Sequence, residues 1–397
     1  MTAATPPVPT ADDPWADFCD RIKALTPVLD DPAFAQAPED RAEGLRHLAR
    51  LTTCALQWSL EFGDREAAPA FHRYDDDIVK WGGPNADNHY LRARLDPTGT
   101  YRVTGDVGGV RQLIVSTNEG DMPLGQYRVF AERHLGELSV EDGRLDLVVG
   151  ADRPADHTGD WLALHPDTDH LLVRVYVVDW AADAVPDLDI ERIDRRPVAR
   201  RPTPDAMAVA LDDAARWVEA SLPFWAAYQE RTRALLEPNT LSAPATPPGG
   251  AHDIAYGGGH WDLGPDQAVV IDFDEPDADH WSVQLYSTGL FESLDIAHRL
   301  VSVNDRQAHV DEDGRVRIVV SPDDPGTPNW LDTERRPTGM IAYRWIWARS
   351  TPTPTTAVVP VDQVAERLPS DHPRVDQADR WAQTDARRRG VARRFRR

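Results

Sequence analysis

WSVQLYSTGLFESLDIAHRLVSVN (281–304) and, four residues on, HVDEDGRVRIVVSPDDPGTPNWLDTERRPTGMIAYRWIWA (309–348) make up the stretch whose reading decides the fold. Apolar and polar residues alternate there in short runs bounded by Gly, Pro, Asn and Asp. That is the pattern of antiparallel strands joined by turns, because successive strand side chains point to opposite faces. Between two such runs lies an insert bearing Glu292, Asp295, His298 and Arg299, chemistry that a β-sandwich does not need for its own sake.

The stretch has an earlier echo. Residues 141–154 read EDGRLDLVVGADRP and residues 312–325 read EDGRVRIVVSPDDP. In each copy a Pro stands eleven residues after the Gly (Pro154, Pro325), a Trp-Leu pair follows (Trp161-Leu162, Trp330-Leu331), and a later strand carries one Arg (Arg174, Arg344). So many landmarks in one order indicate a duplicated β module, and two copies are too few for a solenoid or propeller. The expected fold is therefore mainly β with helices: two tandem antiparallel β-sandwich or jelly-roll modules, a helical N-terminal segment and a helical linker.

Composition narrows the function classes. The 397 residues suffice for two domains with real cores. Lys+Arg 43 against Asp+Glu 66 gives a net charge of -23, which argues against nucleic acid as a partner. Lys23 and Lys80 are the only lysines, a bias we attribute to coding. Cys19 and Cys54 lack metal-type spacing and read as reduced thiols of an intracellular protein. The start, MTAATPPVPTADDPW, does not have the form of a secretory signal, and no run reaches the ~18–20 apolar residues of a membrane span. A cytoplasmic location is expected, with a homo-oligomer left open.

In chain order, residues 1–12 are expected to be disordered and 13–75 to form N-terminal helices. Asp13 caps the first at Pro14, Phe18, Ile22, Leu25 and Leu29 form its apolar face, and a second begins near Pro38 and stops at Gly63. The first β module is expected at 80–195, with strands at 101–103, 112–116, 145–149 and 171–178. It opens with WGGPNADNHY, where Asn85, Asp87, Asn88, Tyr90 and Arg92 form either a loop bonding its own backbone or, less expectedly, a ligand loop. A linker helix covers 204–237, kinked or split at Pro223. Gly257-Gly258-Gly259 suits a close approach of backbone to ligand or a hinge. The second β module spans 255–360. A polar, Arg-rich tail covers 361–397; its last 18 residues hold eight Arg and one Asp, and we expect it to be disordered rather than to bind an anionic partner or fold back on the protein's own acidic surface.

The candidate chemistry centres on the insert. If it forms a helical turn, Glu292, Asp295 and His298 at i, i+3, i+6 bring a carboxylate beside an imidazole, which fixes its tautomer and tunes it for acid–base work. Arg299 and Arg344 then hold a carboxylate or a developing anion. The competing reading is an ion-pair network pinning the insert to the sheet. No HxH, HExxH or Cys-based spacing marks a metal site, no G-x-S-x-G marks a serine hydrolase and no G-x-G-x-x-G marks a dinucleotide site, so neither metal nor cofactor is expected. The chain has 13 Trp, several in the β modules, which serve as core or as a stacking face for sugars and flat apolar ligands. Trp345 and Trp347 are expected on one strand face with Arg344 on the other.

With these landmarks on the page, the chain resembles a bacterial family, the domain of unknown function 1214 family. The resemblance rests on HWSVQLYS (280–287), ESLDIAHR (292–299), SVN (302–304), DPGTPNWLDT (324–333) and YRW (343–345), with WGGPNADNHY (81–90) and YRVTG (101–105). It covers roughly 80–360 and implies sandwich or jelly-roll modules joined by helices. Where the family pattern leads us to expect Tyr-Asn-His-Trp, this chain has Tyr286-Ser287-Thr288-Gly289, which removes a histidine from that turn.

Three function classes follow from the sequence, the last being a scaffold or partner protein with no small-molecule site, whose Arg-rich tail supplies the contact. The first is a cofactor-independent enzyme, a hydrolase or lyase acting on a small apolar or glycosidic molecule. Its acid–base residues are Glu292, Asp295 and His298, and its substrate-binding residues are Trp281, Tyr286, Arg299, Asn304, Asn329, Trp330, Arg344, Asn88 and Tyr90. The second is a non-catalytic carbohydrate- or lipid-binding sandwich using the same aromatic face.

Overall fold

The computed structural model describes residues 13–65, 68–196, 201–246 and 254–395. The segment 1–12, expected to be disordered, lies outside the described residues. The chain divides into two compact units. The first comprises Met1–Tyr74, His89–Val175 and Ala184–Trp225; the second comprises Asp75–Asn88, Tyr176–Asp183 and Ala226–Arg397.

The first unit begins with helix α1 (Pro14–Ala24), whose cap is the expected one: the Asp13 carboxylate accepts from Trp15 N at 3.0 Å and Ala16 N at 3.1 Å. Helix α2 (Pro38–Leu56) follows and widens into a π-helical turn at Gln57–Glu61 that carries Trp58. The strands are β1 (His72–Arg73), β2 (Asn88–Arg94), β3 (Thr100–Asp106), β4 (Gln112–Asn118), β5 (Val129–His134), β6 (Val140–Glu141), β7 (Arg144–Gly150), β8 (Asp160–Ala163), β9 (His170–Tyr176) and β10 (Asp187–Arg192). One sheet has the order β1-β2-β9-β4-β5; the other has β10-β3-β7-β6 with β8 alongside β7. Helix α3 (Pro204–Leu235) runs unbroken through Pro223, where the sequence suggested a kink or two helices; its residues to Trp225 belong to this unit.

The second unit contains β11 (Ile254–Asp262), β12 (Gln267–Asp274), β13 (Ala278–Tyr286), β14 (Ser302–Asn304), β15 (Arg315–Ser321), β16 (Trp330–Asp332), β17 (Thr338–Ala348) and β18 (Thr355–Pro360). Its sheets have the orders β11-β17-β13-β14 and β16-β15-β12-β18. Inward residues of both sheets form one core, with Trp261, Phe273, Trp281, Val283, Ile318, Ile341 and Trp345 among its members.

The duplication is visible strand by strand. The path β2-β9-β4-β5 has the order of β11-β17-β13-β14, and β10-β3-β7-β8 has that of β18-β12-β15-β16. Each Trp-Leu pair lies on the one parallel partner in its sheet: Val148 opposes Trp161, and Val319 opposes Trp330. The architecture is mainly β, with two related sandwich modules. The turns differ. Asp142 (φ 51°) and Gly143 (φ 75°) make a two-residue hairpin with both residues left-handed, whereas in the second copy only Gly314 (φ 76°) is so.

Three expectations need correction. Residues 80–88, which were placed at the start of the first module, belong with the rest of Asp75–Asn88 to the second unit. There Gln284 and Tyr286 donate to Pro84 O, each at 3.1 Å, and Ala86 N donates to Gln284 at 2.8 Å. Trp345 and Trp347 do not share a face. Trp347 has φ 49°, which breaks the period-two alternation and leaves its ring against Tyr176 while Trp345 is in the core. The Arg-rich tail is also ordered: helix α4 (Val364–Arg367) precedes α5 (Gln377–Phe395), which buries Arg380, Arg387, Val391, Arg394 and Phe395. Gly390 lets α5 sit close, since a Cβ there would stand 2.9 Å from Trp180 Cβ. Arg387 donates to Ile296 O (3.2 Å), Ser302 O (2.9 Å) and Ser302 Oγ (2.7 Å).

Composition alone made the tail look dispensable, whereas its burial says otherwise. Burying one large apolar side chain is worth roughly 1.5–3 kcal/mol, so deleting 377–397, with Val391 and Phe395, should cost the protein several kcal/mol in urea unfolding. An unchanged midpoint would show that α5 contributes nothing to the second unit.

Candidate functional site

A polar centre with an adjoining cavity forms in the first unit, built by side chains from six segments. His72 on β1 pairs across the ladder with Arg92 on β2, so the two are cross-strand neighbours. Arg94 shares the Arg92 face by the two-residue period. Asp121 follows β4, Asp169 immediately precedes β9, Trp58 comes from the end of α2 and Trp217 from α3. Arg92, buried, donates to Asp121 at 3.2 Å and to Asp169 at 3.1 Å, and its guanidinium lies over the Trp58 and Tyr74 rings at 4.9 and 5.3 Å. Asp121 also accepts from Tyr74 Oη (2.7 Å) and Trp217 Nε1 (2.9 Å). Asp169 accepts in addition from Arg94 (3.2 Å) and Arg65.

Both carboxylates stay ionised. Burial pushes Asp121 up, but the charges of Arg92 and His170 and the Tyr74 hydroxyl outweigh it and hold it below the usual range. Burial likewise opposes ionisation of Asp169, yet Arg94, His170, Arg65 and Arg92 take it well below that range. Around the cavity Arg65, Arg92, Arg94 and Arg216 meet Asp121, Asp169 and Asp213, and Arg92 and Arg94 make the field at His72 positive.

His72 reports that field. It is 8% exposed, and neither ring nitrogen makes a well-formed hydrogen bond with protein. Burial first, then Arg92, lowers its pKa to about 3, against a weak upward push from the Ala70 backbone. The imidazole is neutral at physiological pH and stacks on Phe62 with ring centroids 4.3 Å apart. It lines a cavity of about 60 Å³, together with Ala55, Trp58, Arg92, Arg94 and Trp217; Leu124 and Arg216, both exposed, line it too. This is room for roughly two to five water molecules, or for a ligand of a few non-hydrogen atoms.

The residues singled out in the sequence do not converge on one site, although Asp295 meets His298 and Tyr286 meets Arg344. The insert is irregular rather than helical. Asp295 Oδ1 accepts from Ala297 N and His298 N, both at 3.0 Å, and His298 Nδ1 lies 3.1 Å from Asp295 Oδ2. That carboxylate–imidazole pair exists, but its side chains are 45% and 64% exposed, whereas Glu292 is buried. Burial raises the Asp295 pKa, and the His298 backbone N–H and ring outweigh it, so the carboxylate is stabilised as the anchor of a turn. Arg299 pairs with Asp332 at 2.7 Å.

Trp281 is 1% exposed and belongs to the core, so it cannot wall a ligand site. Tyr286 is buried and accepts from Arg344 at 2.9 Å, while Arg344 also donates to Gly83 O at 3.1 Å. Asn304 donates to Asp87 (2.8 Å) and Val178 O (3.0 Å). Asn329 brackets the His309 backbone, and Trp330 donates to Ser321 Oγ at 3.0 Å under the Arg380 guanidinium. Asn88 is buried with its carbonyl toward Arg394, and the Tyr90 ring meets Tyr74. Gly257-Gly258-Gly259 lies within β11, and the approach it permits is to protein: a Cβ would meet the Tyr343 ring, Ile341 O and Thr240 O respectively. Sequence reasoning missed His72, Asp121 and Asp169. The available signal was Tyr90, Arg92 and Arg94 on one face of a strand whose other face, Leu91 and Ala93, is apolar.

The model of a family described as a protein of unknown function, DUF1214, matches residues 115–179 and 262–349, one segment in each module. No curated protein matches the chain. Among solved structures, an uncharacterised protein of Burkholderia cenocepacia is similar at 36% identity and TM-score 0.79, covering 88% of this chain and 97% of its own. A Vibrio parahaemolyticus protein is similar at 13% identity and TM-score 0.46, covering 79% of this chain and 98% of its own.

Three outcomes follow. Asp121→Ala leaves Arg92 short of a counter-charge and two donors stranded, at a cost of about 3–5 kcal/mol in urea unfolding. Asp295→Asn and His298→Ala, on exposed groups, should each stay within about 0.5 kcal/mol of wild type. The folded pKa of His72 lies below its ordinary 6.5, so its contribution is whole above pH 6.5 and falls as pH drops toward 3. Relative to His72→Phe, the wild type should lose up to about 1.4 kcal/mol per pH unit across that window. Parallel stability curves would place His72 in contact with water.

Proposed function

The chain belongs to the DUF1214 family of proteins of unknown function, and from the geometry of its first unit we propose that it binds a small carboxylate. One observation carries this reading: a neutral imidazole whose ring nitrogens make no well-formed hydrogen bond with the described residues lines a cavity beside Arg92 and Arg94. A buried polar group without a partner costs free energy, so His72 favours a guest with which to exchange a hydrogen bond. The positive field favours a guest that brings negative charge, and the indoles of Trp58 and Trp217 accommodate a short apolar portion.

Binding is better supported than acid–base catalysis. Asp121 and Asp169 are committed to Arg92, and an imidazole with a pKa of about 3 is a weak base at neutral pH. The exposed Asp295–His298 pair has no enclosure to exclude water. The small cavity also narrows the ligand: a glycoside or lipid does not fit in about 60 Å³.

The test is a calorimetric titration with formate, acetate and propionate, each against its amide. We expect carboxylates to bind, amides to bind at least tenfold more weakly, and His72→Phe to abolish binding while remaining folded. Equal affinity for acids and amides would overturn the charge argument, and no binding by any would overturn the reading. Consumption of the ligand, followed by NMR, would make the protein an enzyme instead.

A further inference from the structure

We propose that His309, Asp311 and His372, in the second unit, form a binding site for a divalent first-row transition metal ion. The three side chains each offer one ligand atom, and these atoms all lie within 4.8 Å of one another. His309 Nε2 is 3.3 Å from Asp311 Oδ1, and His372 Nδ1 is 2.7 Å from the same oxygen. Ligands about 2.1 Å from a tetrahedral ion stand roughly 3.4 Å apart, so the first separation fits and the second needs to open by less than an ångström. Two imidazoles and one carboxylate suit zinc, iron(II) or cobalt(II) far better than calcium or magnesium, which prefer all-oxygen shells.

The surroundings are those of a supported site. Asn329 Oδ1 accepts from His309 N at 2.8 Å, and its Nδ2 donates to His309 O at 2.8 Å, which fixes the backbone that carries the first ligand. Arg317 holds the other oxygen of Asp311 at 2.6 Å, orienting the carboxylate as an outer-shell partner does. That arginine does not cancel the site's charge, because it also pairs with Asp313 at 2.7 Å and lies 3.7 Å from Asp272. Arg315 meets Asp272 and Asp274, so two arginines face four aspartates and a cation is favoured. His372 is buried, and among the described residues its Nε2 meets no hydrogen-bond partner, so the ring's hydrogen bonding is not already used up by protein. Three protein ligands leave a tetrahedral ion one position for water, and the half-buried His309 gives that position a route to solvent.

The position in the chain adds a consequence. His309 and Asp311 lie between β14 and β15, whereas His372 lies between α4 and α5. A bound ion therefore cross-links the segment leading into α5 to the second sandwich, and occupancy stabilises the folded state by mass action.

The experiment uses the full chain, stripped with a chelator and dialysed, then titrated with zinc(II) and separately with cobalt(II). We expect one equivalent of each to bind, cobalt to give visible d–d absorption of a four- or five-coordinate site, and zinc to raise the melting temperature. His309→Gln, on a half-buried ring, should keep the fold and weaken zinc at least tenfold, and Asp311→Asn should do the same. His298→Ala, which removes an exposed histidine elsewhere, should change nothing. Absence of stoichiometric binding, or binding unaltered in both His309→Gln and Asp311→Asn, would overturn the proposal.

Discussion

The second unit depends on one buried anion. Asp87 accepts from Trp180 Nε1 at 2.8 Å and Asn304 Nδ2 at 2.8 Å, and its other oxygen faces His280 Nε2 at 3.4 Å. Burial opposes its charge, but those three partners outweigh that penalty and hold the carboxyl below its ordinary range. His280 is pulled the opposite way: burial disfavours its cation, and Asp305 and Asp87 together restore it and raise its pKa. Removing one partner from such a pair leaves an uncompensated charge in the interior, at about 3–5 kcal/mol. Sitting on the 75–88 segment, this anion takes its partners from 176–183 and from β13 and β14 at once, and so ties together segments far apart in sequence.

The same indole organises the C-terminal helix. Arg387 and Arg394, two turns apart on α5, place their guanidiniums 4.6 Å from the Trp180 ring. Burial lowers both pKa values to about 10, which leaves them charged at neutral pH without a carboxylate in direct contact. The π face and backbone carbonyls take the place of one, with Asp87 as a more distant counter-charge. This is why the Arg-rich ending misleads as a sequence. A run of arginines signals a solvated tail only when the apolar stripe between them is absent. Here Val391 and Phe395 continue the Arg387 and Arg394 face at helical spacing, diluted below the level that composition detects.

The fold was legible because its signals are local. The two-residue alternation needs only neighbours, and the Asp-Gly, Trp-Leu and Arg landmarks recur in one order, which fixed the duplication and the strand sequence. The cavity was not legible for the opposite reason. His72, Arg92, Asp121 and Asp169 are separated by up to 97 positions, and each alone reads as an ordinary surface residue. The insert at 292–299 was conspicuous because Glu292, Asp295, His298 and Arg299 fall within eight residues. Proximity in sequence made it look like a site, while Asp295 in fact caps a single turn.

Comparing the copies shows how β2 leaves room that protein fills beside the matching strand β11. Strand β2 of the first module corresponds in sheet order to β11 of the second. On β2 the side chains of Arg92 and Arg94 stand off the sheet and hold carboxylates at a distance, leaving space beside His72. On β11 the three glycines let Tyr343, Ile341 and Thr240 close to within 2.1, 2.4 and 1.9 Å of where a Cβ would be, so protein fills the space. The Trp-Leu pairs diverge in a similar way. Trp330 Nε1 donates to Ser321, but the counterpart of Ser321 in the first copy is Gly150, and Trp161 Nε1 has no hydrogen-bond partner among the described residues. A duplicated scaffold thus keeps its strand order under strong packing constraint while single positions decide whether a copy closes on itself or keeps room for a guest.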